Sequence, residues 1–250
     1  MDASQLSQLE AAAGDNRARL ARWVKRLELG EPVAYILGEI MFRGLSIKMD
    51  RRAFITDAEL TYLIDVLVER IDHFTRHDGR PPRVVEFGVG GGSLSIALKN
   101  ERPKTLLTGL DLDGGALELA KENVRAHSLD IRLLESDFFQ AWPDGETGPD
   151  FVFADPPWGT ESDLYDTVRD AAHYHNMPPL SAFPAEGGRT GLHRRLIDEV
   201  ANMHWNTTAL LNLGNLPDEE VESLSIHAAP HGAVSVLDLK VVRILEVVYH

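Results

Sequence analysis

The stretch Arg83–Leu98, RVVEFGVGGGSLSIAL, decides how the rest of the chain is read. Val84 and Val85 form a short apolar run, Glu86 follows, and Gly88, Gly90, Gly91 and Gly92 make a turn. Leu94, Ile96, Ala97 and Leu98 then open a helical pattern, so the stretch reads as strand, tight turn and helix. Glycines there permit positive φ and let a ligand approach without meeting a Cβ, while Ser93 offers a hydroxyl at the helix start. A nucleotide-like ligand suits such a turn. The dinucleotide fingerprint G-x-G-x-x-G/A asks for a small apolar residue at 93, where this chain has Ser, so a nicotinamide or flavin fits less well.

With 250 residues the chain can bury a full core. It holds no run of 18 apolar residues, and MDASQLSQLEAAAG has neither a basic opening nor an apolar stretch. A soluble, cytoplasmic protein without a signal peptide or membrane association is the expectation. The absence of cysteine excludes disulfides, thiolate catalysis and thiolate-bound metal. A formal charge of −14, from 25 basic against 39 acidic residues, makes nucleic acid an unfavourable partner, because such binders neutralise phosphates with clustered cations. Arg17, Arg19, Arg22, Lys25 and Arg26 read as a solvated helix face.

Along the chain, residues 3–29 show two helical patterns broken at Gly14. Tyr35, Ile36, Leu37, Ile40, Phe42, Leu45 and Ile47 suggest short extended pieces around Gly38 and Gly44. Thr56 or Asp57 is expected to cap a helix ending near Phe74, and RHDGRPP (76–82) to lead into the main domain. Strands and helices then alternate: VVEF, TLLTGLD (105–111), DIRLLESD (130–137) and DFVFADPP (150–157), with helices after Gly92 and from Gly115 to His127. A helix over 191–203, strand 208–214, helix 217–225 and the closing runs AVSVLDL and VVRILEVVYH complete the pattern. The prediction is an α/β fold, a Rossmann-like and mostly parallel sheet whose last strand is antiparallel, over 53–250, preceded by a small helical unit and hairpin over 1–52. Residues 158–190 lack periodicity and read as a substrate-side loop or lid.

In an open parallel sheet the ligand sits beyond the carboxyl ends of the strands. Asp111 ends the second strand, where a carboxylate can accept from two ribose hydroxyls, and Leu112 beside it can cover an adenine face. Asp137 ends the third, placed to accept from an adenine amine while Phe138 packs against the ring. Glu86 lies under the turn, to fix its amides or an amino group. The fourth strand ends in Asp155-Pro156-Pro157-Trp158. Its prolines fix backbone direction and remove donors, so the Asp155 carboxylate and the Pro156 carbonyl can point together at a nitrogen, with Trp158 as a flat wall.

The E-x-G-x-G-x-G turn resembles the first motif of the class I S-adenosylmethionine-dependent methyltransferases. With Asp111, Asp137 and a [D/N]-P-P-[aromatic] tetrapeptide in this order, the chain looks like the amino-methyltransferases. EPVAYILGEIMFRGL, Asn123 in AKENVRAH and PPLSAFPA (178–185) are similar to the HemK (PrmC) protein-glutamine methyltransferases acting on peptide release factors. The resemblance implies S-adenosylmethionine as cofactor, bound by Glu86, Gly88, Gly90, Gly92, Asp111, Leu112, Asp137, Phe138 and Asp155, with Asp155, Pro156 and Trp158 catalytic. It departs from that family at Asp155, where Asn is the rule, and at Ile55-Thr56-Asp57-Ala58, which replaces I-P-R-P. An ionised carboxylate can only accept, which suits an amine, amidine or guanidinium better than a neutral amide. An N-methyltransferase for a small molecule or peptide is therefore the expectation. A release-factor glutamine methyltransferase and a non-methylating displacement at the sulfonium are the alternatives. Tyr165, His173, Tyr174 and His175 are candidate substrate contacts, and His173 with His175, lacking a third ligand, is assigned no metal.

Overall fold

The computed structural model describes residues 3–158, 174–182 and 187–250. Seven strands form one sheet: β3 (Arg83–Phe87), β4 (Leu106–Asp111), β5 (Arg132–Glu135), β6 (Phe151–Ala154), β7 (Thr208–Asn212), β8 (Gly232–Asp238) and β9 (Arg243–Tyr249), in the order β5-β4-β3-β6-β7-β9-β8. β3 to β7 pair in parallel, and β9 runs antiparallel to both β7 and β8. The expected antiparallel last strand is thus present. Strand order reverses between β3 and β6, and the crevice that forms beyond the carboxyl ends at such a reversal is where the motifs lie.

Both faces of the sheet are covered, which is why its central strands read as continuous apolar runs rather than alternating ones. Val84, Phe151, Phe153, Leu210 and Ile244 meet Leu63, Ile64, Leu67 and Ile71 of α4 (Thr61–Asp78) and Ile96 and Leu98 of α5 (Ser93–Glu101). Val85, Leu110, Val152, Ala209, Leu211 and Val247 point the other way. On that side Leu196, Ile197 and Val200 belong to a helix over Gly191–Asn202, and Val221 and Leu224 to one over Asp218–Ala228.

Ahead of the sheet, α1 (Ala3–Ala13) and α2 (Arg17–Glu28) close around Leu9, Leu27 and Ile36. Tyr35-Ile36-Leu37, expected to be extended, lies in the one-turn helix α3 (Val33–Leu37). Pro32 precedes it, and Gly38 at φ 81° ends it by donating to Ala34 O at 2.8 Å, the usual punctuation of a helix start and stop. The hairpin β1 (Glu39–Phe42) and β2 (Leu45–Lys48) follows, turning on Arg43 and Gly44, both at positive φ as a two-residue loop requires. Arg43 is held in that strained conformation by Glu101 at 2.6 Å and Asp65 at 2.8 Å.

The helix expected from Thr56 or Asp57 begins instead with a 3₁₀ turn, Ala58–Leu60, and α4 extends to Asp78 with Gly79 as its left-handed cap. Asp57 makes no side-chain capping bond. Residues 76–78, read as linker, are the last turn of that helix.

Asn123 of α6 (Gly114–Ala126) joins these parts. Its Oδ1 accepts from Lys48 N at 2.9 Å, and its Nδ2 donates to Lys48 O at 2.9 Å and to Gly91 O at 2.8 Å, so one buried amide ties the hairpin to the glycine turn. Replacing Asn123 by Ala leaves those backbone groups unmatched. A loss of about 2–3 kcal/mol, seen as a lower urea midpoint at unchanged slope, is the expected outcome.

Candidate active site

The glycine turn is built by the strand beside it. Gly88 and Val89 donate their N–H groups to Leu110 O at 2.8 and 2.9 Å, and Gly90 donates to Asp111 Oδ2 at 2.7 Å. Gly88, Gly90 and Gly92 sit at φ 72°, 51° and 87°, where a side chain would be strained. A Cβ added at Gly88 or Gly90 meets no protein atom, because both line a cavity of about 500 Å³, a size usual for a small-molecule site. Gly92, not Ser93, caps α5, and the buried Ser93 Oγ on the cavity wall has no protein partner. A buried hydroxyl without a partner is costly and points to a ligand that completes it.

Asp111 accepts from Asp113 N at 2.9 Å through Oδ1 as well as from Gly90 through Oδ2, which leaves each oxygen one lone pair for a pair of hydroxyls. Glu86, expected to fix the turn's amides, accepts from the Ser95 hydroxyl instead, and Asp111 takes over the turn. Burial pushes the Glu86 carboxyl up to about 8 and also raises Asp111. Leu112 is exposed at the cavity edge.

Asp137 and Phe138 also reach the cavity, in company the sequence did not announce. Asp137 Oδ2 accepts from Arg195 at 2.8 Å, and the same guanidinium lies 4.1 Å above the Phe138 ring. Phe138, at positive φ, stacks on Phe87 with centroids 4.4 Å apart. Arg195 reads in sequence as the polar face of an amphipathic helix, so nothing marked it.

The fourth corner is Asp155-Pro156-Pro157-Trp158 at the end of β6. Ala154 lies opposite Leu211 in the parallel register, which brings the next residues, Asp155 and Asn212, side by side. Asn212 Nδ2 donates to Asp155 Oδ1 at 2.7 Å, and its own carbonyl meets His193 Nε2 at 2.9 Å. Burial pushes His193 down to about 4, which keeps it neutral with Nδ1 unmatched. Desolvation pushes Asp155 up to about 7; the Asn212 bond opposes that shift and the charge of Asp57 adds to it. The Trp158 indole packs on Gly214, at φ 51°, where any Cβ would enter the ring.

Asn212, like Arg195, is a lining residue that sequence reasoning missed, since it closes an apolar strand, TALLN, without a motif. Asp57, a cap candidate in sequence and part of the departure from I-P-R-P, also lines the cavity. Of the candidate substrate residues, Tyr174 is buried on the cavity wall and His175 is exposed, whereas Tyr165 and His173 lie outside the described residues. No cluster among the described residues could hold a metal ion. Among the described residues lining the cavity, seven carboxylates face one guanidinium, Arg195.

Residues 63–173 match the family described as Methyltransferase small domain. A release factor glutamine methyltransferase of Rhodopirellula baltica is 33% identical over 163 residues, covering 62% of this chain and 54% of that protein, so the chain spans about half of that relative. One from Bacillus anthracis is 27% identical over 234 residues, covering 91% of this chain and 79% of its own. Among solved structures, a methyltransferase from Pyrococcus furiosus superposes with a TM-score of 0.55 at 14% identity, covering 98% of this chain and 96% of the other, a likeness of fold alone. The sheet order is that of the Rossmann-like class I methyltransferase fold, and with these matches the chain resembles the HemK/PrmC family within the S-adenosylmethionine-dependent methyltransferases.

Proposed function

We propose that the protein transfers a methyl group from S-adenosylmethionine to a nitrogen atom of a small molecule or peptide, with residues 1–52 as a substrate-side unit. The observation that carries this reading is the Asp155 carboxylate, held by Asn212 at 2.7 Å, in the same cavity as the glycine turn and Asp111. The cavity chemistry fits the cofactor. Two lone pairs of Asp111 match the ribose hydroxyls, the open space at Gly88 and Gly90 admits the chain of the methionine part, and the acidic lining suits a molecule that carries a sulfonium and an ammonium. Ser93 Oγ supplies a donor for the carboxylate end.

When bound, the cofactor supplies a methyl carbon already activated by a positive sulfur. This chain's residues place the acceptor. Asp155 and the Pro156 carbonyl accept the nitrogen's hydrogens and so aim its lone pair, and orientation of this kind is worth up to about 7–11 kcal/mol of barrier. Asp155 then takes the displaced proton, a contribution of ~10²-fold or more. Trp158, backed by Gly214, walls the corner against water.

The relatives' names favour a second acceptor, a release-factor glutamine, and one feature of the site supports it. With its pKa near 7, Asp155 is partly protonated at neutral pH, and a protonated carboxyl offers a donor beside an acceptor, as an amide side chain does.

Asp155→Ala is expected to lower turnover by ~10²-fold, read in kcat with the cofactor saturating. Mass spectrometry of the products reads the reaction: S-adenosylhomocysteine supports methyl transfer, whereas methylthioadenosine would replace it with an internal displacement. Incubating a release factor with labelled cofactor tests the second reading, which falls if no glutamine is labelled.

The raised Glu86 gives a pH-dependent outcome. In the folded protein it binds a proton between its unfolded value near 4.5 and about 8, so its contribution to stability declines as pH climbs through that window. Glu86→Gln, which cannot ionise, is expected to be more stable than the parent by about 2–4 kcal/mol at pH 9. A bound cation favours the ionised Glu86, so cofactor binding releases a proton and tightens from pH 6 toward pH 8. Calorimetry in two buffers of different ionisation enthalpy measures the released proton, and Glu86→Gln is expected to abolish most of that release.

A further inference from the structure

Arg195 is the one cation among the described residues that line the cavity. Beside the sulfonium or the ammonium of S-adenosylmethionine it would meet like charge in a partly desolvated site. The base is the part of that cofactor that is neutral and rich in ring acceptors, so a guanidinium is best placed against it. The loop that carries the partners of Arg195 stands next to the ribose position. Ser136 N donates to Asp111 O at 2.8 Å, which sets Asp137 and Phe138 close behind the carboxylate whose two lone pairs suit the ribose hydroxyls.

From sequence, Phe138 is the residue expected to meet the base. In the structure it is only 2% exposed, stacks on Phe87 and has the Arg195 guanidinium 4.1 Å from its ring centre, so the surface that a base can reach there is the half-exposed guanidinium. Arg195 donates one N–H to Asp137 Oδ2 at 2.8 Å, and its Nε lies 3.8 Å from Glu199 Oε1. Asp137 Oδ2 also accepts from Gln140 Nε2 at 3.4 Å, while Oδ1 accepts from no described residue. A guanidinium has five N–H groups, so a spare donor and a spare acceptor stand side by side, held by one ion pair.

We infer that Arg195 is a specificity-determining residue for the adenine of the cofactor, donating to ring N1 while Asp137 Oδ1 accepts from the exocyclic amine. The inference concerns the donor end of the cavity and is independent of which acceptor is methylated. A 6-aminopurine shows a donor at position 6 beside an acceptor at N1, the complement of this carboxylate and guanidinium. A 6-oxopurine shows the reverse order, which leaves both protein groups facing their own kind.

The full chain is titrated calorimetrically with S-adenosylhomocysteine, with its 1-deaza analogue, in which N1 becomes a C–H, and with S-inosylhomocysteine, the 6-oxo analogue. The parent is expected to bind S-adenosylhomocysteine about tenfold or more tightly than either analogue. Arg195→Met, which keeps the apolar stem on Phe138, is expected to erase the preference over the 1-deaza analogue and to narrow that over the 6-oxo analogue, and Arg195→Lys to restore part of both. Arg195→Ala, on the half-exposed face of its helix, repeats the test should the Met variant not fold. Loss of a charge, or of a side chain that merely covers the base position, alters all three affinities alike and leaves their ratios unchanged. Ratios unmoved by Arg195→Met or Arg195→Ala therefore overturn the inference, as does a parent that binds the 1-deaza analogue as tightly as S-adenosylhomocysteine. A parent that fails to bind S-adenosylhomocysteine at all overturns the cofactor assignment, and this inference with it.

Discussion

The clamp between the end of β4 and the glycine turn is the constraint on which the site depends. Leu110 O takes two turn amides and Asp111 takes a third. The turn could otherwise adopt many conformations, since its glycines have no Cβ to restrict them, and ordering each residue costs roughly 1–2 kcal/mol of entropy. Because the acceptors belong to an adjacent, fully paired strand, their positions are set by the sheet. Asn123 adds a fourth anchor at Gly91 O and couples the hairpin ahead of the sheet to the same turn. A ligand entering the cavity therefore meets a loop already ordered.

That order is accompanied by unfavourable electrostatics. Glu86 is buried and Asp155 half-buried; desolvation raises both well above an ordinary carboxyl, and the charge of Asp155 makes Glu86 harder still to ionise. A core built for stability alone would not keep them. Such local conflict is expected where binding has to supply the missing charge, and it separates these acids from Asp150, whose burial is matched by Arg80 at 2.6 Å.

How legible all this was depended on whether a residue's role was local. The sheet strands were readable because Val84-Val85, Leu107, Phe151-Val152-Phe153 and Leu210-Leu211 are short apolar runs between turn signals, and a two-sided sheet demands that composition. The turn was readable from its glycines, and Asp155 from its prolines. Tyr35-Ile36-Leu37 was not, because three successive apolar residues carry neither period and only the flanking Pro32 and Gly38 decide between strand and helix turn. Asn212, Arg195 and the place of Asp57 on the cavity wall were invisible for a different reason. Each is ordinary in its own element, as a strand end, a helix face and a loop acid, and becomes informative only when the register puts 155 beside 212 or the fold brings the loop before α4 to the cavity.

The acidic cavity does not by itself explain acceleration. In the proposed transfer, positive charge leaves sulfur and appears on nitrogen, while the total is unchanged. Carboxylates spread evenly around both atoms would bind ground and transition states alike and so tighten the complex without speeding it. Only charge nearer to nitrogen than to sulfur favours the transition state. In the proposed transfer Glu86, in β3, and Asp111, at the end of β4, are assigned to holding the donor, and Asp155, at the end of β6, to the acceptor, where the positive charge grows. On that reading the division of labour follows from which strand each acid belongs to.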